Sequence, residues 1–218
     1  MKKKLFIFLL CGFLALSLSG CGNNSSDSTS QGESTSAEDL EKNISVAEEG
    51  ITESNLLVIV VSNDNDESVY VEVEAVFYDE DGNALNSETT YMSIYSNSEM
   101  ACYFYNTPSD FDTYEINFDA DNSYYEDYSD QVEITDNDTG SQVTVQATNN
   151  SSETIESIDV AVVFYRDGTI VGFDEDFSYD LDAGKTDTFN IYYPFDENYE
   201  NVEYDEYKVY FSAYNFTV

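Results

Sequence analysis

The stretch from Val69 to Gly82 constrains the fold of this chain more than any other. It reads Val-Tyr-Val-Glu-Val-Glu-Ala-Val-Phe-Tyr-Asp-Glu-Asp-Gly, so Val69, Val71, Val73, Ala75 and Phe77 alternate with a second set that includes Glu72 and Glu74. Successive side chains of a strand point to opposite faces. This alternation therefore predicts a strand with one buried and one wet face, ended by a turn at Asp81-Gly82. The pattern returns at Ile158 to Gly168, with Ile158, Val160, Val162 and Phe164 on one face and Arg166-Asp167-Gly168 closing it. Two copies of one strand-turn unit predict two copies of one domain.

Other landmarks keep the same spacing. Asn63 and Asn149 lie 86 residues apart, as do Pro108 and Pro194, and Phe77 and Phe164 lie 87 apart. A period this regular marks an internal repeat. The first unit offers strands at Ile44 to Val46, Leu56 to Ser62, Val69 to Tyr78, Ser87 to Tyr95, Met100 to Tyr105 and Tyr114 to Phe118. The second offers Val132 to Ile134, Val143 to Thr148, Ile158 to Tyr165, Ile170 to Leu181, Thr186 to Tyr193 and Tyr207 to Tyr214. Short strands separated by Asn, Asp, Gly and Ser turns predict an all-β fold of two tandem antiparallel Ig-like sandwiches, over residues 43–126 and 127–218. Units of this size without disulfides are only moderately stable, so packing between them is expected.

The chain carries 45 Asp plus Glu against 7 Lys plus Arg, a formal net charge of -38. Such a surface repels nucleic acid and anionic lipid, because binding phosphates needs cationic groups that replace counterions. It suits cationic partners or divalent metal ions. Apolar residues still make up 41% of the chain, with 14 Phe and 19 Tyr, so there is material for a core.

The amino-terminal residues read as an address. Lys2 to Lys4 form a positive segment, Leu5 to Leu18 a short apolar one, and Leu18-Ser19-Gly20-Cys21 follows. This resembles the lipobox of bacterial lipoproteins, which implies that residues 1–20 are removed and that Cys21 is lipidated. Two acyl chains on Cys21 would suffice for stable anchoring in a lipid bilayer. Residues 21–42 are rich in Ser, Asn, Thr and Gly and predict a disordered tether, with Ala37 to Lys42 able to form a helical turn at its end. Its root-mean-square reach is roughly 25 Å, and roughly 70 Å when fully stretched, which keeps the folded part near the membrane.

The strand endings Ala75-Val76-Phe77-Tyr78-Asp79 and Val162-Val163-Phe164-Tyr165-Arg166 resemble the signature of the FxLYD domain. Leu181-Asp182-Ala183-Gly184-Lys185-Thr186 and Phe189 resemble that family's turn and following strand. Ala75 and Val162 stand where the family has its leading Phe, Phe77 and Phe164 where it has Leu, and Arg166 where it has Asp. The resemblance implies small extracytoplasmic β-sandwich domains, frequent in bacterial lipoproteins and mostly of unknown function.

Candidate chemistry is sparse. The chain has no histidine, which removes Ser-His-Asp and Cys-His triads and the usual zinc sets. Cys102 is the one cysteine beyond Cys21; without a basic partner it reads as a buried small hydrophobe. Oxygen-rich loops leave calcium open, with Asp79, Asp81, Asp136 and Asp138 as candidate ligands. Asp and Asn are also ordinary turn formers, and none of these loops follows the EF-hand spacing. Tyrosines cluster at Tyr124, Tyr125 and Tyr128 and again from Tyr192 to Tyr214, which suits either a strand surface or a protein or glycan interface. Lys208 reads as a solvated lysine. The sequence thus predicts a lipid-anchored extracytoplasmic module that binds a surface protein or glycan without catalysis, or alternatively a calcium-dependent adhesion module. No cofactor other than calcium is expected.

Overall fold

The computed structural model describes residues 37–122 and 125–217. The predicted signal, Cys21, the tether up to residue 36 and Tyr124 lie outside the described residues. Among the described residues one short helix, α1 (Ala37–Glu41), precedes thirteen strands. The first six are β1 (Ile44–Ile51), β2 (Leu57–Asn63), β3 (Val69–Tyr78), β4 (Ala84–Ile94), β5 (Ser98–Phe104) and β6 (Thr113–Asp121). The rest are β7 (Tyr125–Asp127), β8 (Val132–Asp138), β9 (Gln142–Asn149), β10 (Ile155–Arg166), β11 (Thr169–Leu181), β12 (Thr186–Tyr192) and β13 (Glu206–Phe216).

Every strand pairing is antiparallel, and the strands form four sheets ordered β4-β3-β6, β1-β2-β5, β11-β10-β13-β7 and β12-β9-β8. The first two sheets enclose one core and the last two another, giving the expected sandwiches. β3 shows the predicted alternation: its odd positions are buried and its even positions half-exposed. Phe77 and its counterpart Phe164 are both fully buried, and each meets a tyrosine of its own sandwich, Tyr114 and Tyr204 respectively. The turns after the two strands differ. Asp167 and Gly168 both have positive φ, as a two-residue hairpin turn requires, whereas Asp79 closes a longer turn with its own carboxylate.

The repeated asparagines explain part of the repeat. Asn63 and Asn149 are fully buried, each at the end of a strand of the sheet facing β3 or β10. The Asn63 amide donates to the carbonyls of Glu67, Ile94 and Tyr95, and its oxygen accepts the Asn65 N–H. Asn149 donates to Glu153 and Leu181 carbonyls and accepts the Ser151 N–H. Each side chain thereby ties a turn of one sheet to the opposite sheet. Neither position could be apolar without leaving buried backbone groups unpaired.

The two sandwiches are fused more closely than two beads on a string, and residues 36–218 form one compact unit. β5 packs on β10 and β13, and β1 packs on β11, so the sheets β1-β2-β5 and β11-β10-β13-β7 lie face to face. Ala161, Val163, Tyr165, Ile170 and Tyr210 of the second sandwich therefore belong to the core cluster of the first. Tyr103 meets Phe173 across this interface with ring centroids 5.0 Å apart. Polar contacts frame it: Arg166 pairs with Glu53 at 2.6 Å, and Lys208 pairs with Glu48 while lying over the Tyr165 ring. Lys208, expected as a solvated lysine, is thus an interface residue.

Two boundaries move. The predicted division between residues 126 and 127 falls inside β7, whose Tyr125 and Glu126 pair with β13 of the second sandwich. The predicted tether extends to residue 42, yet Ala37–Glu41 forms a helical turn with Leu40 only 1% exposed. The Leu40 carbonyl accepts a hydrogen bond from the Asn65 side chain, which fastens this turn to the first sandwich.

Candidate functional site

The oxygen-rich loops are occupied by their own chain. The Asp79 carboxylate accepts the backbone N–H groups of Asp81 and Asn83 and the Asn83 amide; these bonds, that amide foremost, hold it below the ordinary Asp range. Asp81 enters this turn through its backbone N–H. Asp136 and Asp138, at the end of β8, meet tyrosine hydroxyls: Tyr207 donates to Asp136 at 2.6 Å, and both Tyr193 and Tyr204 donate to Asp138. The Tyr193 hydroxyl, then the Gly140 N–H and Tyr204, hold Asp138 below its ordinary range. The carboxylate of Asp136 in turn pushes the Tyr207 phenol up to about 12. Among the described residues no group of three or more carboxylates or thiols converges in a way that could hold a metal ion. Cys102 is buried, and that burial pushes its thiol well above the ordinary range.

The tyrosines divide by role. Tyr193, Tyr204 and Tyr207 pack around Phe164 and close one end of the second sandwich. Tyr165 and Tyr210 are buried between the sandwiches with hydroxyls 3.3 Å apart. Tyr192 and Tyr199 face solvent, Tyr199 stacking on Phe195 at the tip of the loop that follows β12.

A third group forms the most site-like feature of the molecule. Tyr91 of β4 stacks on Tyr70 of β3 at 5.8 Å, Tyr70 meets Tyr125 of β7 at 5.3 Å, and Tyr125 meets Tyr214 and Phe216 of β13 at 4.7 and 5.3 Å. These five rings make a continuous ribbon across the seam between the sandwiches. Its two ends are open to solvent, with Tyr91 55% and Phe216 52% exposed.

Beneath the ribbon lies a small cavity lined by Ser68, Tyr70, Ser93, Tyr125, Ser212 and Tyr214 among others. It opens partly to solvent and offers about 20 Å³, room for one water-sized group. The polar groups around it are unevenly satisfied. Asp127 accepts the Ser68 hydroxyl at 2.6 Å and the Ser129 N–H at 2.8 Å. Asp159, on β10 opposite Ser212, accepts the Tyr214 hydroxyl at 3.0 Å and the Ser157 hydroxyl at 3.4 Å. Burial nevertheless holds Asp159 above the ordinary Asp range, against these hydroxyls and that of Ser212. The Ser212 side chain is 2% exposed, and its Oγ makes no hydrogen bond of good geometry among the described residues.

Tyr125 and Tyr214 belong to clusters visible in the sequence. Asp159 and Ser212 stand in none, and Tyr70 and Tyr91 were hidden on the polar face of their strands. The available signal was that β3 keeps Tyr70 and Tyr78 beside the glutamates of its wet face.

No family model matches the chain, and no curated protein does. Among solved structures, red sea bream transglutaminase is similar over 69% of this chain and 26% of its own, at 5% identity and a TM-score of 0.21. A likeness at that score carries no argument about fold or activity.

Proposed function

We propose that this chain is an extracytoplasmic bacterial lipoprotein of FxLYD-like build, anchored through lipid on Cys21, whose paired sandwiches act as one non-catalytic binding module. The observation that carries the reading is the run Lys2-Lys3-Lys4, an apolar core of moderate length, and Leu18-Ser19-Gly20-Cys21. That order of charge, apolar length and small residues before a cysteine fits an export signal with a lipidation site. The Ser- and Asn-rich segment after Cys21 then serves as a spacer that holds the sandwiches close to the bilayer.

Binding rather than catalysis is supported by the residues themselves. The chain has no histidine, Cys102 is buried, and the conspicuous carboxylates serve turns or tyrosine hydroxyls. Against this, a five-ring aromatic ribbon with exposed ends offers large contact area at small entropic cost, as binding surfaces do.

Fractionation of cells that export the chain with its own signal tests the reading. Wild type is expected in the membrane fraction, extracted only by detergent, and Cys21→Ala in the soluble fraction or as uncleaved precursor. Cys21→Ala that is processed and pellets like wild type would refute it.

A further inference from the structure

We infer that the seam cavity and the aromatic ribbon above it take a primary ammonium group, presented as a lysine side chain of a cationic protein or peptide partner. This rests on the binding-module reading and names the chemistry of its partner. Four observations converge on it.

The first is size. A cavity of about 20 Å³ admits one group as large as a water molecule, which an ammonium is. The second is its walls. Tyr70, Tyr125 and Tyr214 line it, and phenol rings attract cations through their electron-rich faces. The third is charge. Asp127 lines the cavity, Asp159 stands opposite Ser212 on the neighbouring strand, and Glu72 lies beside Tyr91. The described cations lie elsewhere: Lys42, Arg166 and Lys208 are held in ion pairs with Asp39, Glu53 and Glu48, and Lys185 sits in the turn after β11. Lys208 shares β13 with Tyr214 but is six residues away, about 20 Å along the strand.

The fourth observation is Ser212. Its side chain is buried, the residue lines the cavity, and its Oγ reaches only the Asp159 carboxylate without good geometry, so a buried hydroxyl is left poorly satisfied, which is costly. An ammonium has three donors and no acceptor, so Ser212 Oγ can take one N–H while Asp127 and the rings hold the rest. The protein's net charge of -38 would draw such a partner in from a distance, and the cavity would then distinguish lysine from diffuse positive charge.

The test uses the mature full-length protein in detergent micelles, with fluorescently labelled hexalysine and its fully Nε-acetylated form as probes in an anisotropy titration. Hexalysine should bind and the acetylated peptide should not. Ser212→Val, which fills the cavity, and Tyr125→Leu, which removes a ring, leave the net charge unchanged. Each should weaken hexalysine binding about tenfold, with the contrast to wild type widening as salt screens the diffuse attraction. Equal affinity of wild type and both variants at all salt concentrations would overturn the inference, since net charge alone would then explain binding. So would binding of a neutral oligosaccharide that Tyr125→Leu abolishes while hexalysine binding persists. Should Tyr125→Leu lose the fold, ring resonances of the wild type decide: methylammonium should shift them where sodium at equal ionic strength does not, and equal shifts would overturn the site. None of these failures touches the fractionation of Cys21→Ala, so the two proposals fall separately.

Discussion

The two buried asparagines allow a comparison within one molecule. Asn63→Ala removes hydrogen bonds to three carbonyls, to the Asn65 N–H and to the Asn65 side-chain amide, and three of these, to the Ile94 carbonyl and to both Asn65 groups, are buried. Asn149→Ala removes bonds to two carbonyls and one N–H, and only the Leu181 carbonyl is in a buried bond. A buried backbone group left unpaired costs about 1–3 kcal/mol, while half-exposed ones recover a bond to water. Asn63→Ala should therefore lose about 3–5 kcal/mol and Asn149→Ala about 1–3 kcal/mol. Losses of that size are a large share of the stability of an ordinary domain. Urea unfolding, followed by far-ultraviolet circular dichroism and by tyrosine fluorescence in this tryptophan-free chain, measures both. Asn63→Asp, which keeps the shape but points a carboxylate at three carbonyls, should cost at least as much as Asn63→Ala. An Asn149→Ala loss equal to or larger than that of Asn63→Ala would refute the reasoning, as would a loss below about 0.5 kcal/mol at either site.

Three further outcomes are expected. Burial raises Asp159, and a carboxyl whose folded pKa is raised weakens folding above that pKa, a penalty relieved as pH falls through it. Asp159→Asn should thus melt at or above wild type at neutral pH, with the wild type gaining on it towards about pH 4; a clearly lower melting temperature at neutral pH would contradict this. At Gly50 an added Cβ would sit 2.9 Å from Ile170 Cβ in the interface between the sandwiches, so Gly50→Ala should cost about 1–3 kcal/mol; an unchanged urea midpoint would show that the contact gives way freely. Because Asp79, Asp136 and Asp138 are bonded within the chain, calcium should leave the melting temperature within about a degree of an EDTA control. A rise of many degrees would restore a calcium site.

Much of the fold was legible because strands buried on one face write their geometry directly into the sequence. β3 alternates Val, Glu and Tyr, and its turn follows from Asp79 and Gly82. The association of the two sandwiches was written as well, in another form. A strand buried on both faces carries an unbroken apolar run, and Leu57 to Val61 and Val160 to Tyr165 are such runs. Reading only the even positions of β10 found the sandwich core and missed the face made by Ala161, Val163 and Tyr165. The short strand β7 left little mark, because three residues give no period to read. The partners of the carboxylates were hidden for a related reason. Asp136 and Asp138 look like metal ligands in sequence, whereas their partners Tyr193, Tyr204 and Tyr207 come from 55 to 71 residues further along. The seam site is assembled from β3, β4, β7, β10 and β13, which lie far apart in sequence and meet only once the two sandwiches pack together.

The most direct measurement of the central claim is the intact mass and amino-terminal peptide of the protein recovered from its native envelope. A lipid-anchored module predicts a chain that begins at Cys21 and carries a diacylglycerol adduct on that residue. A chain that begins elsewhere, or an unmodified Cys21 thiol, would contradict it.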